Sequence, residues 1–238
     1  MNIYKKNLNQ LKQNFVYNET MEHDACGVGL VASTEGVKSR KVVEYGIQAL
    51  KAVWHRGAID ADGKTGDGAG IHIEIPKDFF IEKIEITGHR HDDSDLCVGM
   101  IFLPRNDYQG QEQCRIIVES ELTKKNFNIY GWRQVPVNPS VLGEKAENTR
   151  PEITQVLFKH NDKKVIGKNL ERVLYETRRK IEKEALNNQL NGFYICSFSS
   201  KSIIYKGMFL AEALSDFYTD LKDERFISRF AIFHQRFS

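Results

Sequence analysis

The sequence has little of what marks the specialised protein classes. Its 238 residues hold only four cysteines, Cys26, Cys97, Cys114 and Cys196. They are scattered and form no CxxC pair, which excludes a disulfide framework and leaves no zinc or iron–sulfur spacing. A reducing cytoplasm suits such a chain. No apolar run approaches the roughly 18 residues that a membrane helix needs. The first 25 residues carry Lys5, Lys6 and Lys12 but no apolar stretch of signal-peptide length, because Asn and Gln recur between the apolar residues. Neither a membrane span nor secretion is expected. No sign of charge dominates: 34 Lys and Arg stand against 32 Asp and Glu, a net +2, so nucleic acid is not the expected partner. Internal repeats and low-complexity linkers are missing as well.

What is present is a core. Hydrophobic residues make up 41% of the chain, with 14 Phe and 9 Tyr, so whole-chain disorder is excluded and one large layered domain is expected. Short strands alternate with moderate helices. Cys26–Ser33 (CGVGLVAS) reads as a buried strand, and Ser39 as the cap of a helix with Val42, Val43, Ile47, Leu50, Val53 and Trp54 on one face. Thr65–Gly70 (TGDGAG) is a turn, and 70–75 places Ile71, Ile73 and Ile75 on one side of a strand closed by Pro76. Strands are expected over 96–103, 128–135, 153–158, 193–198, 203–205 and 230–237, and helices around 114–122, from 169 onward, and over 210–221. Residues 138–150 read as loop. The last strand is apolar and runs into Ser238, so a partial domain is expected.

Three places could carry chemistry. Cys26 opens a glycine-rich strand behind a polar leader. If the Ala25–Cys26 bond were cut, one residue would hold both a thiol and an α-amine with a pKa of about 7.7–8.0, a base suited to neutral pH. Taken alone, Cys26 fits a small core position better. Arg56, in His55-Arg56-Gly57 after the first helix, either satisfies terminal carbonyls or braces a reactive strand beside the Asp67 turn. The TGDGAG turn is no phosphate loop, since no Lys-Ser/Thr and no helix follow it. Arg236, on the last strand, either recognises a carboxylate through its planar fork or lies on a wet face. The cluster His89, His91, Asp92, Asp93 and Asp95 matches no closed metal pattern and reads as a solvated loop. Cys97, Cys114 and Cys196 read as inert core positions.

The order CGVG, HRGA, TGDGAG, GWRQVPVN, YKGM, FYTDL, HQRFS resembles the amino-terminal glutaminase domain of glutamate synthase large subunits, a branch of the class II glutamine amidotransferases. The likeness runs in register from Cys26 to Ser238, with residues 1–25 as a leader and 26–238 as a partial amidotransferase domain. It implies an α+β fold, a four-layer α/β/β/α sandwich of the amino-terminal-nucleophile hydrolase type, here incomplete. It implies Cys26 as nucleophile with its own α-amine as base, Arg56 as the brace of that strand, Arg236 on the α-carboxylate of L-glutamine, and Asp67 and Gly70 lining the site. The implied reaction hydrolyses glutamine through a Cys26 thioester and passes ammonia to a synthase module that aminates 2-oxoglutarate. No cofactor or metal is implied in this chain; FMN and an iron–sulfur cluster belong to the synthase part. Implied partners are that module and, as electron donor, a small subunit or ferredoxin.

The family's next motif, HNGEIN, whose asparagine helps form the oxyanion hole, is not in this sequence. Losing one such donor costs on the order of 10²–10³ in turnover. Two competing readings follow: an amidase for another amide, which Arg236 argues against, and an incompetent remnant of the same enzyme.

Overall fold

Alternating apolar residues build two four-stranded antiparallel sheets, and 3.6-residue stripes build the helices laid on them. The computed structural model describes residues 3–14 and 27–235. Helix α1 (Ile3–Asn14) precedes β1 (Gly27–Ala32) and α2 (Arg40–Ala52). Then come β2 (Ala69–Glu74), α3 (Lys77–Ile86), β3 (Leu96–Leu103), α4 (Tyr108–Lys124) and β4 (Phe127–Gln134). They are followed by α5 (Glu144–Thr149), β5 (Glu152–His160), α6 (Gly167–Asn187), β6 (Tyr194–Ser199), β7 (Ser202–Gly207), α7 (Leu214–Phe217) and β8 (Phe230–Gln235). The first sheet has the order β1-β8-β2-β7 and the second β4-β5-β3-β6.

Strand alternation assigns each face. In β3, Cys97, Ile101 and Leu103 join a core with Cys114, Val118 and Leu122 of α4 and Leu170, Leu174 and Ile181 of α6. Their neighbours Leu96, Val98 and Met100 point the other way, into a core shared with Ile71, Ile73, Ile203 and Tyr205 of the first sheet. Helix α2 lies on that same face of the first sheet: a Cβ at Gly46 would stand 2.6 Å from Ala231 Cβ and 3.3 Å from Ile71 Cδ1. On the opposite face Val28 and Leu30 are 64% and 63% exposed. The architecture is therefore α+β with two antiparallel sheets.

Arg133 and Asp220 tie the sheets together. The Arg133 guanidinium donates to both Asp220 oxygens, at 2.8 and 2.6 Å, and to Gln155 Oε1 at 2.8 Å. The buried Tyr205 hydroxyl donates to Asp220 Oδ2 at 3.1 Å and accepts from Gln155 Nε2 at 3.1 Å. Every member thus finds a partner, as a buried polar network requires. The GWRQ and FYTDL motifs meet in this pair.

Several boundaries differ from the sequence reading. Ser39 stands at the N-cap of α2, but its side chain makes no capping bond; its backbone instead bridges Ser228, N–H to O at 3.0 Å and O from N–H at 3.2 Å. Trp54 is exposed rather than on the inner stripe, because α2 ends at Ala52 and a 3₁₀ turn over Trp54–Arg56 changes the phase. Residues 138–150 are not all loop: a 3₁₀ turn (Pro139–Val141) precedes α5, whose single buried residue, Ala146, gives no periodic signal. The reading also passed over α3, where Phe79, Phe80 and Ile84 are buried directly after Pro76. The expected helix over 210–221 is broken into 3₁₀ turns at 211–213 and 219–222 around α7. Phe217, Tyr218, Asp220 and Leu221 are all buried, more than one face of a straight helix can bury, and Tyr218 resolves this by adopting extended backbone.

Candidate active site

Four strands end in one row. Gly27 of β1 lies opposite Gln235 of β8, Gln235 opposite Ala69 of β2, and Ala69 opposite Gly207 of β7. Cys26 and Arg236, one residue beyond Gly27 and Gln235, lie outside the described residues. Arg56 reaches this row through its stem. A Cβ on Gly27 would stand 3.2 Å from Arg56 Cβ, 3.3 Å from its Cγ and 3.1 Å from Val53 Cγ2. The start of β1 is therefore packed under the turn that carries Arg56. The helix-end carbonyls of Leu50 and Lys51 accept from the Val53 backbone N–H.

The segment from Gly57 to Asp67 folds back on itself and delivers Asp67 to the row. The Asp60 N–H donates to Thr65 O at 2.8 Å and the Asp67 N–H to Ala58 O at 3.2 Å, around an Ile59–Gly66 bridge. Asp62 closes the tip, accepting from the Lys64 and Thr65 amides at 2.9 and 2.7 Å and from the Thr65 hydroxyl at 2.5 Å. The Thr65 hydroxyl and these amides hold the Asp62 carboxyl well below the usual carboxylate range. Helix α5 anchors the loop through Lys145 on Asp60, at 2.7 Å, and the Ala146 N–H on Thr65 Oγ1, at 3.3 Å. Gly66 is required by space, since its Cβ would stand 2.7–2.8 Å from the Phe209 carbonyl and the Leu210 nitrogen.

Gly57, Asp67 and Gln235 converge. The point a Gly57 Cβ would occupy lies 2.1 Å from Gln235 Nε2 and 3.3 Å from Asp67 Oδ1. Gln235 is fully buried, and among the described residues neither its Nε2 nor its Oε1 has a hydrogen-bond partner. A cavity of about 190 Å³ adjoins it, lined by Trp54, Ile59, Leu210, Ala211 and Glu212. Gly70 falls on the other face of the sheet, opposite His234 and Lys206, where a Cβ would meet Lys206 Cβ at 2.8 Å. Of the sequence-derived residues, Arg56 and Asp67 thus both lie by the strand ends, and Gly70 lies one residue further in on the reverse side. The sequence reading singled out Arg236 and passed over Gln235, although a carboxamide in an apolar strand was the available signal.

The other cysteines are poor nucleophiles. Burial pushes the Cys97 thiol well above its ordinary range, Cys114 up to about 11 and Cys196 up to about 12. In the His89–Asp95 stretch, Lys159 donates to Asp92 at 2.8 Å and Lys163 to Asp93 at 2.6 Å. These carboxylates pair with lysines. Among the described residues no helix is long and apolar enough to cross a membrane.

Residues 26–238 match the family model of class II glutamine amidotransferases. The chain is 58% identical over 222 residues to the glutamate synthase [NADPH] large chain of Azospirillum brasilense, covering 93% of this chain and 15% of that protein. It is 40% identical over 219 residues to ferredoxin-dependent glutamate synthase 1 of Arabidopsis thaliana, covering 91% of this chain and 13% of that one. The figures for ferredoxin-dependent glutamate synthase 2 of Synechocystis sp. are 39% over 218 residues, 91% and 14%. The chain therefore spans about a seventh of the length of these relatives.

Proposed function

The chain belongs to the class II glutamine amidotransferases, and on that premise we propose that it is the glutaminase part of a glutamate synthase. Cys26 is the nucleophile. Its sulfur attacks the side-chain carbonyl carbon of L-glutamine, the α-amine released by cutting Ala25–Cys26 takes the thiol proton, and that proton leaves with ammonia. Water then cleaves the thioester to give glutamate and restore the thiol. Arg56 braces the strand that starts at Gly27, Arg236 holds the substrate α-carboxylate through two parallel hydrogen bonds, and Asp67 and Gly70 line the site. The observation that carries this reading is that the family match begins at Cys26 itself. The packing of the Arg56 stem on Gly27 supports the bracing role.

The ammonia is consumed, in this reading, by a synthase module of the longer polypeptide, in the cytoplasm, with electrons from a small subunit or ferredoxin. FMN and an iron–sulfur cluster belong to that module, and no residue of this chain is assigned to them. The four-layer α/β/β/α sandwich belongs to the same reading, and the two antiparallel sheets with helices laid on them support it.

Amino-terminal sequencing of the active polypeptide tests the proposal, because an amide nitrogen within a peptide bond is no base. A chain beginning at Cys26 is expected. Full glutamine hydrolysis with Met1 still attached would overturn it.

A further inference from the structure

We propose that Gln235 is a positioning residue of this site, one that seats the Arg56–Gly57 turn and Asp67 against the strand following Cys26; the proposal rests on the glutaminase reading above. Gln235 is fully buried, and among the described residues both polar atoms of its carboxamide lack a hydrogen-bond partner. Burying an amide donor and acceptor without partners destabilises a fold. An apolar side chain of the same length would fill this position at less cost. A costly polar group held inside a protein calls for a reason, and its surroundings supply one.

The carboxamide stands at the junction of every element that forms the site. Its backbone pairs with Gly27 on one side and Ala69 on the other. Its Nε2 takes the space that a side chain at residue 57 would need, at 2.1 Å from that Cβ position, and Asp67 Oδ1 is 3.3 Å from the same point. Gly57 has φ −92° and ψ 151°, a conformation open to any residue, so what demands glycine there is the Gln235 amide rather than the backbone. The turn, the carboxylate and the first strand are thus gauged against one side chain. The neighbouring cavity of about 190 Å³ gives the carboxamide room to swing when it is crowded, which would release all three.

The test uses the full natural polypeptide carrying this sequence, with turnover expressed per Cys26 labelled by a glutamine-analogue electrophile. Gln235→Met keeps length and volume but removes the amide. It is expected to leave the melting temperature unchanged or raised while lowering kcat about tenfold or more, with KM for glutamine within about twofold. Gly57→Ala, which pushes the carboxamide toward the cavity, is expected to lower kcat as well. A space-filling role predicts wild-type kcat per labelled site for Gln235→Met, and that result overturns the proposal. If Gln235→Met does not fold, wild-type kcat for Gly57→Ala overturns it equally. An unmodified polypeptide that neither labels at Cys26 nor releases ammonia defeats the glutaminase reading itself. Normal wild-type turnover matched by both variants defeats only the role of Gln235.

Discussion

Replacing Arg133 by alanine should leave the Asp220 carboxylate, 3% exposed, inside the core with the Tyr205 hydroxyl as its remaining side-chain donor. Arg133 is itself 16% exposed, so solvent screens this pair far less than a surface pair. Removing one partner of a buried ion pair costs about 3–5 kcal/mol, because the other charge stays buried. The guanidinium also sits 5.2 Å from the centre of the Phe79 ring, a contact worth a further ~0.5–2 kcal/mol. The consequence extends to the site, since Asp220 lies on the segment whose Phe209–Leu210 backbone packs against Gly66. Urea unfolding of the wild type, Arg133→Ala, Asp220→Ala and the double variant gives the coupling. Each single variant should lose about 3–5 kcal/mol, and the double should lose much less than their sum, because no charge is then stranded. Single variants within about 0.5 kcal/mol of wild type, or a double that simply adds, would refute the reasoning.

Arg236→Ala should raise KM for glutamine by the equivalent of about 2–5 kcal/mol with kcat less affected, and Arg236→Lys should not rescue it, because an ammonium cannot supply two parallel bonds; a near-wild-type KM for the alanine variant refutes the carboxylate role. Acid should weaken the fold in a defined window. The Arg225 hydrogen bonds, against burial, bring the Asp223 carboxyl down from 3.8 to about 2. For Glu74, burial raises the pKa, but bonds from Arg229 and the nearby Lys38 outweigh it, and the group titrates below its ordinary 4.5. Both groups have folded pKa values below the unfolded ones, so the unfolded chain binds more protons in between. Their stabilisation is complete above roughly pH 5 and is lost as pH falls toward about 2. Urea midpoints taken down this range should fall, and less steeply in Arg225→Gln; a flat profile contradicts the assignment.

The sequence made the strands legible where their residues alternate, and as short apolar runs where both faces are buried, as in β3. Ile71 and Ile73 of β2 and Ile75 just after it are each no more than 2% exposed, as a period of two requires, and the stripe of α2 held through Leu50. Legibility failed where burial did not follow one period. Helix α5 buries only Ala146, and Phe217 to Leu221 bury too many sides for one helix. For the site, motif order pointed to Arg56 and Asp67, but not to the fact that Gly57 and Asp67 converge beside Gln235. That convergence depends on the register of β8 against β1 and β2, which no local pattern encodes. The partnership of GWRQ with FYTDL through Arg133 and Asp220, 87 residues apart, was hidden for the same reason.

The central claim is that a thiol at a freed amino terminus cleaves glutamine. Its most direct test is to treat the full natural polypeptide with a diazoketone analogue of glutamine and locate the adduct by peptide mass spectrometry. The account predicts one adduct per chain, on Cys26, in a peptide whose first residue is Cys26, with ammonia release falling in proportion and L-glutamine protecting. An adduct on Cys97, Cys114 or Cys196, or complete inhibition with residues 1–25 still attached to a labelled Cys26, would contradict it.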